Sequence, residues 1–242
     1  MTTRIFKDYE ALCQAVADQI IAYVQRKPTA MVCLASGHTP VGVFGCLKKV
    51  VDAGAVDLSR CTFLSLDEWL GIDPSDPGSC LSMLQRDCFQ PLQISENQIE
   101  FFKVHASDLP RECDRMNVLI ERNGGLDIML VGVGTNGHIG MNEPGTSFDS
   151  VAHLSTLTEE TKAVGQKYFE QTTALSQGIT LGLKHLREAK LPIVMASGAK
   201  KSEILGKALN GVATEAIPVS VVHLIPQAWV MVDEEAASLI RS

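Results

Sequence analysis

Six short apolar runs recur along this chain, each separated from the next by a stretch with helical periodicity. That alternation constrains the fold more than any other feature. The runs AMVCLA (30–35), TFLSL (62–66), IEFFK (99–103), LDIMLVG (126–132), LPIVMA (191–196) and AWVMVD (228–233) read as strands. Most are apolar on both faces rather than alternating, as strands are when helices cover both sides of a parallel sheet. Amphipathic stretches at 7–26, 40–53, 79–90, 109–123, 159–172, 199–210 and 234–240 read as helices. The pattern predicts a three-layer α/β/α, Rossmann-like fold with a mostly parallel central sheet, built as one domain over residues 1–242. Hydrophobic residues are 45% of the chain, enough for the core that such a domain needs.

Sites in open α/β sheets lie beyond the carboxyl ends of the strands, so the residues just after each run carry the functional reading. Three such places hold chemistry. Ser36-Gly37-His38-Thr39-Pro40 follows the first run and opens a helix; by itself it reads equally as an ordinary Ser/Thr helix cap or as a site where free backbone amides favour an anion. Ser197-Gly198-Ala199-Lys200-Lys201 repeats the arrangement after the fifth run and adds two lysines. Asp67-Glu68-Trp69 follows the second run; neighbouring residues on a strand face opposite ways, so only one of the two carboxylates is expected in a site.

The fourth run leads into LVGVGTNGHIGMNEPG (130–145), where Gly132, Gly134 and Gly137 spell G-x-G-x-x-G. A dinucleotide site requires a helix to begin at the third glycine. Gly140 and Pro144 argue against one here. The other reading is a tightly turned loop that presents Asn136, His138 and Glu143, a histidine with a carboxylate to orient it near neutral pH.

A formal charge of −7 argues against nucleic acid and anionic membranes as partners, and leaves a small anionic substrate open. No run is long enough to span a bilayer, and MTTRIFKDYE lacks the apolar stretch of a secretory signal. The seven cysteines show no C-x-x-C spacing and read as reduced thiols of a cytoplasmic protein, not as metal ligands.

The segments LASGHTP, LSLDEWLGI, VGVGTNGHIGMNEPGTSF and SGAKKSEIL, in this order over residues 34–205, resemble the glucosamine-6-phosphate deaminase (isomerase) family. The resemblance implies conversion of an amino-hexose 6-phosphate to a ketohexose 6-phosphate and ammonia, with neither metal nor organic cofactor. Carried over by position, it makes His138 the group that assists ring opening, with Asn136 and Glu143 orienting it. Asp67 becomes the base that moves the C2 proton to C1 through an enolamine. Ser36, Gly37, His38, Thr39 and Lys201 match positions that hold the 6-phosphate, and Lys167 falls where other members carry a phosphate-binding arginine. Asn136 stands where some members have Asp, and His38 where Gly, Ser or Ala is usual. The words LDEW, PGSC and GITLGLK look closer to the galactosamine-6-phosphate branch than to the glucosamine one. His153 and Ser155 occupy places where effector-activated members carry Arg and Lys, so no activation by N-acetylglucosamine 6-phosphate is expected. The rival 6-phosphogluconolactonase loop continues with Ala-Ser-Leu-Phe-Pro and has Arg after its Asp-Glu pair; here Asn142-Glu143-Pro144 and Trp69 stand instead. A non-catalytic sugar-phosphate sensor on this fold would have lost a catalytic group, and Asp67, His138 and Glu143 are all present. Homo-oligomerisation stays open.

Overall fold

A computed structural model describes residues 1–241. In chain order it contains β1 (Thr2–Phe6), α1 (Tyr9–Arg26), β2 (Met31–Leu34), α2 (Val41–Asp52), β3 (Thr62–Ser65), β4 (Asp67–Trp69), α3 (Cys80–Leu84), β5 (Ile99–Glu100), α4 (Leu109–Arg122), β6 (Ile128–Val131), β7 (His153–Thr156), α5 (Glu159–Gly165), β8 (Gln177–Thr180), α6 (Leu183–Glu188), β9 (Leu191–Ala196), α7 (Ser202–Leu209), β10 (Trp229–Asp233) and α8 (Glu234–Ala237). Seven strands form one sheet in the order β1-β10-β9-β6-β2-β3-β5, and every pairing in it is parallel. The chain winds outward from β2 through β3 to β5, then returns to β6 and winds the other way through β9 to β10. The switch point therefore lies between β2 and β6.

Strand residues alternate between two cores. Val32 and Leu34 of β2 pack with Ile128 and Leu130 of β6 under α1 and α2. Met31 and Cys33, with Met129 and Val131, pack on the other side against α4, α6 and α7. This is why the runs lack polar alternation: both faces are covered. Helix starts follow local chemistry. Asp8 Oδ1 accepts from Ala11 N at 2.8 Å to cap α1, and Asp108 Oδ1 accepts from Arg111 N at 3.0 Å to cap α4.

The structure departs from the sequence expectations in several places, among them α6, a short helix that no expected stretch covers. β1 was not foreseen; four of its five residues are exposed at the sheet edge, so no apolar run marks it. β4, β8 and β7 form a second, antiparallel sheet in which Asp67 pairs with Thr180. Such short strands are defined by distant partners rather than by their own pattern. The 99–103 run contributes only Ile99 and Glu100 to the sheet. Beyond them the backbone bonds to α4 instead: Lys103 N donates to Glu112 Oε1 at 2.8 Å, and Arg115 Nη2 donates to Phe101 O at 2.8 Å. The helix expected over 159–172 ends at Gly165, followed by a single 3₁₀ turn at Gln166–Tyr168. There the Gln166 side chain closes the chain on itself through Thr173 N and O, at 3.0 and 2.7 Å.

Candidate active site

A cavity of about 180 Å³ opens at the switch point. Ser36, His38 and Thr39 reach it from beyond β2, Asp67 from β4, Gly132 to Thr135 and His138 from beyond β6, and Lys201 from beyond β9. Thr161, Lys167 and Tyr168 of the α5 segment complete its wall. Nine of the ten predicted site residues are therefore accounted for as follows: seven line the cavity directly, and Asn136 and Glu143 stand behind His138. Gly37, the tenth, forms the turn beneath Tyr168.

The G-x-G-x-x-G stretch opens no helix, and residues 132–151 form turns held from several sides. Gly134 N donates to His138 O at 2.8 Å, and Val219 N donates to Gly137 O at 2.9 Å. Asn142 Nδ2 donates to Ile139 O and Leu181 O, each at 2.8 Å. The need for Gly134 is steric, because a Cβ there would lie 2.2 Å from His138 Cε1. Gly137 adopts φ +87°, which a side chain would strain.

This scaffold fixes the histidine chemically as well. Asn136 Nδ2 donates to Glu143 Oε2 at 2.9 Å, and a carboxylate can only accept, so the amide oxygen must face the imidazole. His138 Nδ1 lies 2.7 Å from that oxygen. Nδ1 therefore carries the proton, and Nε2 keeps its lone pair; among the described residues Nε2 has no hydrogen-bond partner. Burial is the main force holding His138 below its ordinary pKa; Glu143 opposes it and Lys201 adds to it. The ring is thus a neutral base at physiological pH.

β4 separates its two carboxylates. Glu68 is fully engaged: Oε1 accepts from Trp69 N at 2.8 Å and Cys80 N at 2.9 Å, and Oε2 from Leu81 N at 2.9 Å. It anchors the start of α3. Asp67 instead faces the cavity, and burial, reinforced by the Glu68 charge, pushes it up to about 7. A carboxylate of that basicity in a dry wall suits proton transfer at carbon.

At the other end the two strand-to-helix turns converge. Gly37 and Gly198 share φ +85°, and each lets the chain turn sharply from strand to helix. Asp233 secures the second turn, accepting from Gly198 N at 3.0 Å and from the Ser197 hydroxyl. Lys201 is held below its ordinary pKa by burial and then by the neighbouring charge of Lys167. Two ammonium groups kept this close favour an anion between them. Lys167 Nζ also sits 4.9 Å from the centroid of the Tyr168 ring, and His38 packs on the same ring at 5.3 Å.

The family model described as glucosamine-6-phosphate isomerases/6-phosphogluconolactonase matches residues 7–231. The chain belongs to this family. It is similar to the glucosamine-6-phosphate deaminase of Thermoanaerobacter pseudethanolicus, 32% identical over 241 residues, covering 99% of this chain and 95% of the relative. A solved monomeric glucosamine-6-phosphate deaminase superposes with a TM-score of 0.95 at 34% identity, covering 99% of this chain and all of the other. The 6-phosphogluconolactonase of Trypanosoma brucei shares the fold at a TM-score of 0.77 and 17% identity. Within this glucosamine-6-phosphate isomerase/6-phosphogluconolactonase member, sequence reasoning missed Thr161, Tyr168 and Asp233. Thr158 caps α5, its hydroxyl accepting from Thr161 N at 3.2 Å. Tyr168 adjoins Lys167, and Thr161 follows the cap by one turn, but neither carries a local signal of its own. Among the described residues, no three His, Cys, Asp or Glu side chains group as a metal site, and no helix is long and apolar enough to cross a membrane.

Proposed function

We propose that this chain deaminates and isomerises an amino-hexose 6-phosphate, glucosamine 6-phosphate or its C4 epimer galactosamine 6-phosphate, to the ketohexose 6-phosphate and ammonia. One observation carries the reading: a basic buried carboxylate, Asp67, and a neutral, oriented histidine, His138, share one cavity with a pair of lysines. The names of the similar proteins support the same reading.

The 6-phosphate is held by the turn Ser36-Gly37-His38-Thr39 and by Lys167 and Lys201, which fixes the sugar against the far wall. His138 Nε2 takes the proton of the C1 hydroxyl and the ring oxygen receives one, which opens the pyranose. Asp67 then removes the C2 proton and delivers it to C1. The enolamine becomes a C2 imine, and water replaces ammonia at C2. A base at Asp67 is useful only because burial has raised it; an ordinary carboxylate would be too weak for a carbon acid. Lactone hydrolysis needs no base of this kind at a strand end, and Glu143 already has a role in orienting His138.

Ammonia release assayed with both amino-sugar 6-phosphates, with and without chelator, tests the proposal. Release from at least one of them, unchanged by chelator, is the expected result. Turnover of a 6-phosphogluconolactone alone would replace this reading with the hydrolase one. The same assay settles the epimer, and addition of N-acetylglucosamine 6-phosphate should leave the rate curve unchanged, given His153 and Ser155 in β7.

A further inference from the structure

His138 has a second polar neighbour that the Asn136–Glu143 pair does not explain. Thr161 Oγ1 lies 3.2 Å from His138 Nδ1. Thr161 is buried, with 5% of its surface exposed. Its hydroxyl is 3.1 Å from Thr158 Oγ1, and Thr158 Oγ1 lies 3.2 Å from Glu143 Oε2. The proton on His138 Nδ1 fixes the direction at Thr161: its oxygen accepts there, sharing that proton with Asn136 Oδ1. Thr158 Oγ1 accepts from Thr161 N at 3.2 Å and Asn136 Nδ2 at 3.3 Å, and its own proton lies between Glu143 Oε2 and Thr161 Oγ1.

We propose that Thr161 is a positioning residue for His138, and that the hydroxyl chain His138–Thr161–Thr158–Glu143 is a second route by which the carboxylate supports the imidazolium. The proposal rests on the reading of His138 as the ring-opening base. Once Nε2 accepts a proton, positive charge appears at Nδ1–H as well. Asn136 is neutral, and Glu143 Oε2 is 3.9 Å from Nδ1, too far for a direct hydrogen bond. Two acceptors aligned by the same carboxylate compensate for that distance. The other charged groups facing the ring are Lys201, which disfavours the cation, and Glu160, which favours it. Because Thr161 lies on α5, which runs directly into the turn carrying Lys167 and Tyr168, one short segment touches both the histidine and the lysine end of the cavity.

The test uses Thr161→Val, which keeps the shape, and Thr161→Ser, which keeps the hydroxyl. The Val variant should lose about 10-fold in turnover, as expected for one hydrogen bond stronger in the transition state, with the Michaelis constant within about 2-fold. Its His138 imidazole, followed by ¹⁵N NMR, should titrate at lower pH than in the parent. The Ser variant should restore both. A Val variant with parental titration and turnover would overturn the proposal, as would loss of turnover that Ser fails to restore. Should the parent release no ammonia from either sugar, the functional reading fails, while the His138 titration still decides the role of Thr161.

Discussion

The two ends of the cavity are built on opposite plans. At the histidine end, orientation is over-determined: Asn136 and Thr161 both reach one ring nitrogen, Glu143 and Thr158 hold them from behind, and charge is kept low by burial. At the lysine end, geometry comes from two backbone turns and charge is concentrated: burial and then Lys167 hold Lys201 below its ordinary pKa, and burial and then Lys200 do the same to Lys167. The first plan suits proton transfer, where angle and basicity set the rate. The second suits an anchoring anion, where net charge sets affinity. A sugar phosphate held across both would be gripped at one end and reacted on at the other.

Substitutions should separate these plans. The largest effect is expected for Asp67→Asn, which keeps shape and removes the base. Turnover should fall by a factor on the order of 10²–10⁴ while substrate still binds, measured by steady-state kinetics and calorimetry. Lys201→Ala should act mainly on affinity, raising the Michaelis constant by an amount equivalent to roughly 1.5–3 kcal/mol, with a smaller loss of turnover because the phosphate also places C2 against Asp67. If Lys201→Ala instead lowered only turnover, the division between the ends would be wrong.

Stability offers a further contrast. Asp67 sits near 7 in the folded chain against an ordinary 3.8. A carboxyl whose pKa is raised by folding binds more protons folded than unfolded between these values, so its favourable contribution is complete below about 3.8 and is lost as pH rises through about 7. At pH 8 the Asp67→Asn variant should therefore be more stable than the parent by on the order of 1–4 kcal/mol, the gap closing as pH falls toward 4 in denaturant titrations. The same group should place the acid limb of the activity profile near 7. The smallest effect is expected for Tyr168→Phe, which removes the hydroxyl lying over Gly37. A change of about 2- to 10-fold in the Michaelis constant, without a change in the activity profile's acid limb, would place that hydroxyl with the lysine end.

What could be read from the sequence divides along similar lines. The parallel sheet was legible because each of its inner strands is buried on both faces, so composition alone marks it; Met31–Leu34 is the clearest case. The antiparallel sheet was not, because Asp67, His153 and Gln177 acquire partners only through folding. Within the site, Ser36 and Asp67 stood out as polar residues immediately after apolar runs, His138 by its glycine-rich loop, and Lys201 by the Ser-Gly turn before it. That Glu68 rather than Asp67 is consumed by the α3 amides could not be read, since nothing in DEW distinguishes the two. Thr161 and Tyr168 escaped because their meaning comes from what faces them across the cavity.

The most direct measurement follows the proton that Asp67 is assigned to carry. In ordinary water, glucosamine 6-phosphate or galactosamine 6-phosphate deuterated at C2 and turned over by the parent enzyme should give ketohexose 6-phosphate with deuterium at C1, seen by NMR, together with an equivalent of ammonia. The Asp67→Asn variant should give neither at a comparable rate. Ammonia formed at the parental rate by the Asn variant would contradict the account and shift the proton transfer to another group.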